Sequence, residues 1–241
     1  MDRDGHPEPR VEIRDGIHVV RDDLIPGGTK RRFIDSYVAT SPAEFVYASP
    51  AFGGAQIALA IAARAAGKRA TIFVAKRNEL HARTREAQRN GAKIVEIPHG
   101  YLSNVESKAR AYAEEHGAHL MPHGFDTPEA HAAIAAAAEL VKRKHGAFDE
   151  VWSVCGSGVL QRGLQLGELG VAYFGVAVGR ENPDVGRAKI VPHGQPFAAD
   201  SRSRPPFPSC SNYDAKAWSH ILTRRSERPR KVRILFWNVM A

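Results

Sequence analysis

The chain has 241 residues, 43% of them hydrophobic and 25% charged, so it can bury a core, and both disorder and fibrous repeats are excluded. Its 34 Lys and Arg against 26 Asp and Glu give a formal charge of +8, which suits a polyanionic partner without requiring one. No run of about 18 apolar residues occurs, so no membrane association is expected. The polar start Met1-Asp2-Arg3-Asp4-Gly5-His6 lacks the apolar stretch of a signal peptide. Cys155 and Cys210 provide no disulfide framework, and a reducing cytoplasm is the expected location.

At roughly 100–200 residues per domain, one large domain or two small ones is expected. Phe45-Val46-Tyr47-Ala48 reads as a short buried strand, and an Ala-rich helix follows over 53–67. Residues 70–75 form the next strand, with a charged helix over 78–90 capped by Asn78 and ended by Gly91. A third strand spans 93–97 and a third helix 103–115. Thr127-Pro128-Glu129 has the cap-then-proline signature of a helix start and opens a helix to about 144. Residues 150–155 are a strand that runs into Gly156-Ser157-Gly158 and another helix. Pro192, Pro196, Pro205, Pro206 and Pro208 mark a long loop, and the last strand is expected over 232–239. Strands separated by helices of this length pair in parallel through right-handed crossovers, so the class is α/β with open, mostly parallel sheets.

Three segments can carry chemistry. In Pro26-Gly27-Gly28-Thr29-Lys30-Arg31-Arg32, two glycines let the backbone turn sharply and hold Lys30 in a constrained setting; a turn with a solvated basic cluster is the plainer reading. Ser49-Pro50-Ala51-Phe52-Gly53-Gly54-Ala55-Gln56 joins a strand to a helix, whose unpaired N–H groups bind carboxylate or phosphate; a tight turn alone explains it equally well. Val154-Cys155-Gly156-Ser157-Gly158-Val159-Leu160-Gln161 repeats that layout, and it has neither the Lys of a Walker loop nor the Rossmann glycine spacing. Taken together, a lysine in a glycine turn, a carboxylate loop and a phosphate loop are what pyridoxal phosphate chemistry needs.

Here the sequence resembles the tryptophan-synthase-β-like, fold type II pyridoxal-phosphate enzymes, near the branch of aminocyclopropane-carboxylate deaminase and D-cysteine desulfhydrase. Arg21-Asp22-Asp23-Leu24 and Gly27-Gly28-Thr29-Lys30-Arg31-Arg32 are similar to that branch's acidic lead-in and Gly-Gly-Asn-Lys cofactor site. Gly156-Ser157-Gly158-Val159-Leu160-Gln161-Arg162-Gly163-Leu164 resembles its phosphate loop, and Tyr213-Asp214-Ala215-Lys216-Ala217 its Tyr-Glu/Thr-Gly-Lys-Ala motif. Residues 233–238 stand where the branch has its final Leu-Phe-Ile-His strand.

The resemblance implies two open, mostly parallel α/β domains with the cofactor in the cleft between them. Residues 1–44 and 126–241 would form the large domain and 45–125 the inserted small one. It implies that Lys30 carries pyridoxal 5'-phosphate and that Gly156, Ser157, Gly158, Val159 and Leu160 hold its phosphate. Asp214 would face the pyridine nitrogen, Tyr213 would stand beside the ring, and Asn238 would border the cofactor. Gly53, Gly54, Ala55 and Gln56 would bind the substrate carboxylate. Relatives of this fold are often homodimers.

Departures from the branch direct the choice of reaction. The branch carries Gln-Ser-Asn where this chain has Phe52-Gly53-Gly54, so cyclopropane opening by that route is not expected. An acidic partner such as Asp214 keeps a pyridine nitrogen protonated and favours carbanion chemistry. The chain is short for the branch, compressed between Val191 and Tyr213, and basic residues collect at Arg224, Arg225, Arg228, Arg230 and Lys231. A second basic group comprises Lys76, Arg77, Arg83, Arg85 and Arg89. Solvated faces explain both groups equally well, but both also suit a substrate attached to nucleic acid. A short, basic member also resembles phage enzymes of thymine hypermodification. That resemblance implies decarboxylation of an amino acid attached to thymine in double-stranded DNA; the alternative is a small-molecule lyase of the deaminase or desulfhydrase type. No metal site is expected, since no Cys or acid joins His116, His119 and His123. Cys155 reads as a packing residue.

Overall fold

The computed structural model describes residues 8–40, 42–98, 101–178, 183–227 and 232–241. Of the basic residues expected at DNA, Arg228, Arg230 and Lys231 lie outside them. The chain divides into two compact units, 1–32 with 128–241, and 33–127. The smaller unit thus begins at 33, where the sequence suggested 45, and takes in most of the first helix.

The larger unit opens with a hairpin that the sequence reading did not anticipate. Strands β1 (Val11–Arg14) and β2 (Ile17–Arg21) pair antiparallel, with Arg14 opposite Ile17. The connecting Asp15 and Gly16 both have positive φ, 48° and 69°, as a two-residue hairpin turn requires. Helix α1 (Arg31–Thr40) then leads into the smaller unit.

In the smaller unit β3 (Glu44–Ala48), α2 (Ala55–Ala65), β4 (Arg69–Ala75), α3 (Ala82–Arg89), β5 (Lys93–Ile97), α4 (Leu102–His116) and β6 (His119–Leu120) follow in turn. The sheet order is β5-β4-β3-β6, all parallel. Parallel sheets are covered on both faces, which is why β3 is a continuous buried run rather than an alternating one. Val46, Ala48, Phe73, Val105 and Ala109 form one core layer, and Ile57, Ala58 and Leu59 of α2 are buried as well. Buried Glu44 is held by Arg69 at 2.9 Å, the Thr71 hydroxyl at 2.6 Å and the Tyr112 hydroxyl at 3.1 Å. Helix α3 starts four residues later than expected, because the segment after β4 stays irregular. Its cap is His81, whose Nδ1 accepts from the Arg83 N–H at 3.3 Å, and Asn78 is exposed in the preceding loop.

The larger unit resumes with α5 (Pro128–His145), β7 (Phe148–Cys155), α6 (Val159–Leu166), β8 (Gly170–Ala177), β9 (Lys189–Pro192), α7 (Ala215–Ser226) and β10 (Ile234–Asn238). Its sheet runs β1-β2-β10-β7-β8-β9, parallel apart from the β1–β2 hairpin. Both units are therefore built on predominantly parallel sheets, in keeping with the α/β class expected from the sequence. The core packs Trp152 flat on Phe174, with ring centroids 4.4 Å apart, and Trp218 edge-on to Phe207 at 5.0 Å.

Candidate active site

In an open parallel sheet, ligands bind beyond the carboxyl ends of the strands, where the strand order reverses. In the larger unit β7, β8 and β9 step outward in one direction, and β10 returns to the other side of β7. Strands β2, β10 and β7 are mutually parallel, so the segments after all three emerge at one edge. Those segments carry Lys30 after β2, Asn238 and Met240 at the end of β10, and Gly156-Ser157-Gly158 after β7.

The Lys30 turn is fixed from beneath by Asp22, which is fully buried. Its Oδ2 accepts from the Thr29 hydroxyl, Arg32 Nε and Trp237 Nε1, each at 2.8 Å. Its Oδ1 accepts from Arg32 Nη2. The residues on either side of Lys30 are thus tied to one carboxylate, and through Trp237 to the last strand. Gly28 has φ 72°, and a Cβ there would stand 2.4 Å from the Val239 carbonyl oxygen, so only glycine fits. The next N–H, that of Thr29, donates to the same oxygen at 3.2 Å.

The loop after β7 is as tightly specified. Gly158 lies at φ 85°, and a Cβ would fall 1.8 Å from the Asp184 carbonyl oxygen. It leads into α6, whose first N–H groups have no acceptor within the helix. Buried Gln161 fastens that helix to two strands, donating to Ser153 Oγ at 2.9 Å and to the Phe174 carbonyl at 2.7 Å. The Tyr213 ring lies against Gly156, and its hydroxyl donates to the Val154 carbonyl at 3.4 Å. Burial, with Asp214 and Cys155 beside it, holds the Tyr213 phenol well above its ordinary pKa, so it stays neutral.

Asp214 precedes α7 without capping it and is fully buried; its Oδ2 accepts from the Met240 N–H at 3.2 Å. Two residues on, Lys216 is buried and donates to the Pro196 and Phe197 carbonyls at 2.7 and 3.2 Å, which ties the proline-rich loop to α7. Asn238 has a buried amide engaged by the protein itself: it donates to Asp23 at 2.7 Å and the Pro208 carbonyl at 2.9 Å, and accepts from Ser209 at 2.8 Å. These contacts fix Asn238 at the end of β10, the sheet edge where the sequence suggested a place beside the cofactor. The role of Asp22 was missed; only its place in an acidic lead-in was visible.

In the smaller unit the order reverses between β3 and β6; the loop after β3 carries Gly53 and Gly54, and Ala55 and Gln56 open α2. Gln56 is buried and shapes this turn, its Nε2 donating to the Ala51 and Gly53 carbonyls at 3.2 and 2.9 Å. A Cβ on Gly53 would stand 3.1 Å from the Pro50 carbonyl, so a side chain there would be tight.

Of the basic residues, Arg224 is committed to Glu150 at 2.9 Å and lies 5.3 Å over the Phe174 ring. The Arg225 guanidinium packs over Gly16. His116 stacks on Tyr112 at 3.9 Å, and His119 meets the Tyr37 hydroxyl at 2.9 Å. Cys155 is buried, and burial pushes its thiol up to about 12, so it is no nucleophile near neutrality.

A lysine on a rigid turn, a glycine loop opening a helix and a buried carboxylate at one sheet edge form the donor set that pyridoxal phosphate requires, and these residues fit it. Comparison with solved structures points to the same fold. An aminocyclopropane-carboxylate (ACC) deaminase homologue aligns with a TM-score of 0.83 at 17% identity, over 97% of this chain and 89% of that one. O-ureido-L-serine synthase gives 0.82 at 15% identity, covering 99% and 90%. Diaminopropionate ammonia lyase of Escherichia coli gives 0.73 at 14%, covering 98% and 83%. No curated protein matches the sequence. Residues 9–195 match the family described as pyridoxal-phosphate dependent enzymes, and the chain belongs to that family.

Proposed function

We propose that the protein is a pyridoxal-phosphate-dependent decarboxylase acting on an amino acid attached to thymine in phage DNA. The observation that carries the reaction type is Asp214, a fully buried carboxylate beside Tyr213 that is not spent on capping its helix. A carboxylate holding a proton at the pyridine nitrogen favours chemistry through a carbanion. The formal charge of +8 and the side-chain-free turn at Gly53 and Gly54 support a bulky, polyanionic substrate.

When bound, the cofactor supplies an electron sink. The chain supplies the rest. Backbone N–H groups of Gly156, Ser157, Gly158, Val159 and Leu160 would hold the phosphate. Those of Gly53, Gly54 and Ala55 orient the substrate carboxylate, on a turn braced by Gln56. Lys30 Nζ would hold the cofactor and, once the substrate amine has taken its place there, would donate a proton to the α-carbon that CO2 has left. Asp214, by its opposite charge, would keep a proton at the ring nitrogen.

A lyase acting on a free amino acid is the second reading, favoured by the likeness to the deaminase homologue. Holoprotein is incubated with DNA bearing amino-acid-modified thymine and, separately, with free amino acids, and products are followed by mass. Loss of CO2 from the modified DNA is expected. Untouched DNA together with turnover of a free amino acid defeats the leading reading and establishes the second.

A further inference from the structure

Beside the Gly53–Gly54 turn, the smaller unit has an open groove of about 640 Å³ whose lining includes Arg77, Asn78, Glu79, Leu80, His81 and Arg85. The groove lies beyond the end of β4, next to β3 in the sheet, so its loop neighbours the turn. Contacts join them directly. Phe52, which precedes Gly53, is held edge-on by the His81 ring at 4.5 Å and has the Arg77 guanidinium 5.1 Å over its face. His81 is occupied as a brace: it accepts from the Arg83 N–H and bonds the Ala51 backbone.

We infer that this groove binds a phosphate of the nucleic acid strand that carries the substrate, gripping it with Arg77 and Arg85. The inference rests on the DNA reading above. Both arginines are exposed; one amino group of Arg85 donates to the Leu80 carbonyl, which braces the guanidinium, and charged guanidinium N–H groups bind phosphate oxygens strongly. Between 76 and 89 there are five Lys or Arg (Lys76, Arg77, Arg83, Arg85, Arg89) against two acids (Glu79, Glu86), a net of +3. The groove, of about 640 Å³, is open to solvent. Near the C-terminus, Arg224 is already paired with Glu150 and the Arg225 guanidinium packs over Gly16. Glu79 is the one acid in the lining and sets a limit on affinity.

The test uses holoprotein and a fluorescent, unmodified DNA duplex, with anisotropy read between about 50 and 200 mM salt, where each phosphate contact contributes a log–log slope of about 0.9. R77A/R85A is expected to reduce the slope by about 0.9, so that over this fourfold salt range the wild type weakens about 3.5-fold more than the variant. E79Q is expected to bind more tightly. R110A removes one charge from α4 outside the groove and is expected to keep the wild-type slope. If the wild type binds but R77A/R85A behaves like R110A, the groove assignment is wrong while the DNA reading stands. A mononucleotide arm separates the sources of phosphate. If the wild type ignores the duplex but binds the mononucleotide, and R77A/R85A abolishes that, the site takes a small phosphoryl ligand and the nucleic acid proposal is overturned. If neither ligand binds, both the groove assignment and the DNA reading fail.

Discussion

Replacing Asp22 by asparagine tests whether the Lys30 turn is held by a buried ion pair. The carboxylate is fully buried and its partner Arg32 is 2% exposed. Three further contacts, from the Thr29 hydroxyl, Arg32 Nε and Trp237 Nε1, are each 2.8 Å long. The substituted amide keeps one oxygen but turns N–H groups toward the guanidinium and leaves its charge uncompensated. Breaking a buried pair from one side costs about 3–5 kcal/mol, and the oxygen that remains places Asp22→Asn near about 3, a shift of about 150-fold in the folding equilibrium. Against a total of about 5–15 kcal/mol the variant still folds. Urea unfolding followed by circular dichroism measures the loss. Arg32→Met removes the stranded charge, so Asp22→Asn with Arg32→Met is expected to lose less than the sum of the single variants by about 2 kcal/mol. A single-variant loss below about 1 kcal/mol, or additivity within about 0.5, refutes the reasoning.

Gly158→Ala forces a side chain into φ 85° and against the Asp184 carbonyl; the backbone conformation alone costs roughly 1–2 kcal/mol, so a lower Tm and weaker cofactor binding are expected by calorimetry and titration. An unchanged Tm contradicts it. His18, His81, His119, His145 and His220 are all held below their ordinary pKa of 6.5, first of all by burial. Below about 6.5 the unfolded chain therefore binds more protons than the folded one, so stability present above that pH is lost as pH falls toward the depressed folded values. Tm is expected to be lower at about pH 5.5 than at about 7.5; a maximum at the lower value contradicts this sign. Cys155, with its thiol raised to about 12, and buried Cys210 are expected to resist iodoacetamide in the native protein and react after unfolding, as read by mass spectrometry. Native labelling of Cys155 counters that account.

The fold was legible where local pattern and tertiary role coincide. Strands β3, β4 and β5 are short apolar runs between helical stretches, and their limits were read to within a residue. The hairpin of β1 and β2 was not read, although Asp15-Gly16 is a strong turn signal, because charged residues interrupt the apolar ones. Strand β6 has two residues, too few for any periodicity. At the site, the glycine turns announced Lys30 and the loop at 156–158, since a backbone that must turn tightly leaves its mark in composition. What holds those turns did not show. Trp237 lies 215 residues from the Asp22 it bonds, and no local pattern connects them. The same is true of Asn238, whose three partners come from two distant loops.

That Lys30 is the cofactor-bearing residue is tested most directly by reducing the holoprotein with borohydride and mapping the peptides. Lys216, a buried lysine of the larger unit, donates to the Pro196 and Phe197 carbonyls. The phosphopyridoxyl group is expected on the peptide containing Lys30, and Lys30→Ala is expected to abolish it. A label on Lys216 or another lysine, or no label on a cofactor-loaded protein, contradicts the assignment.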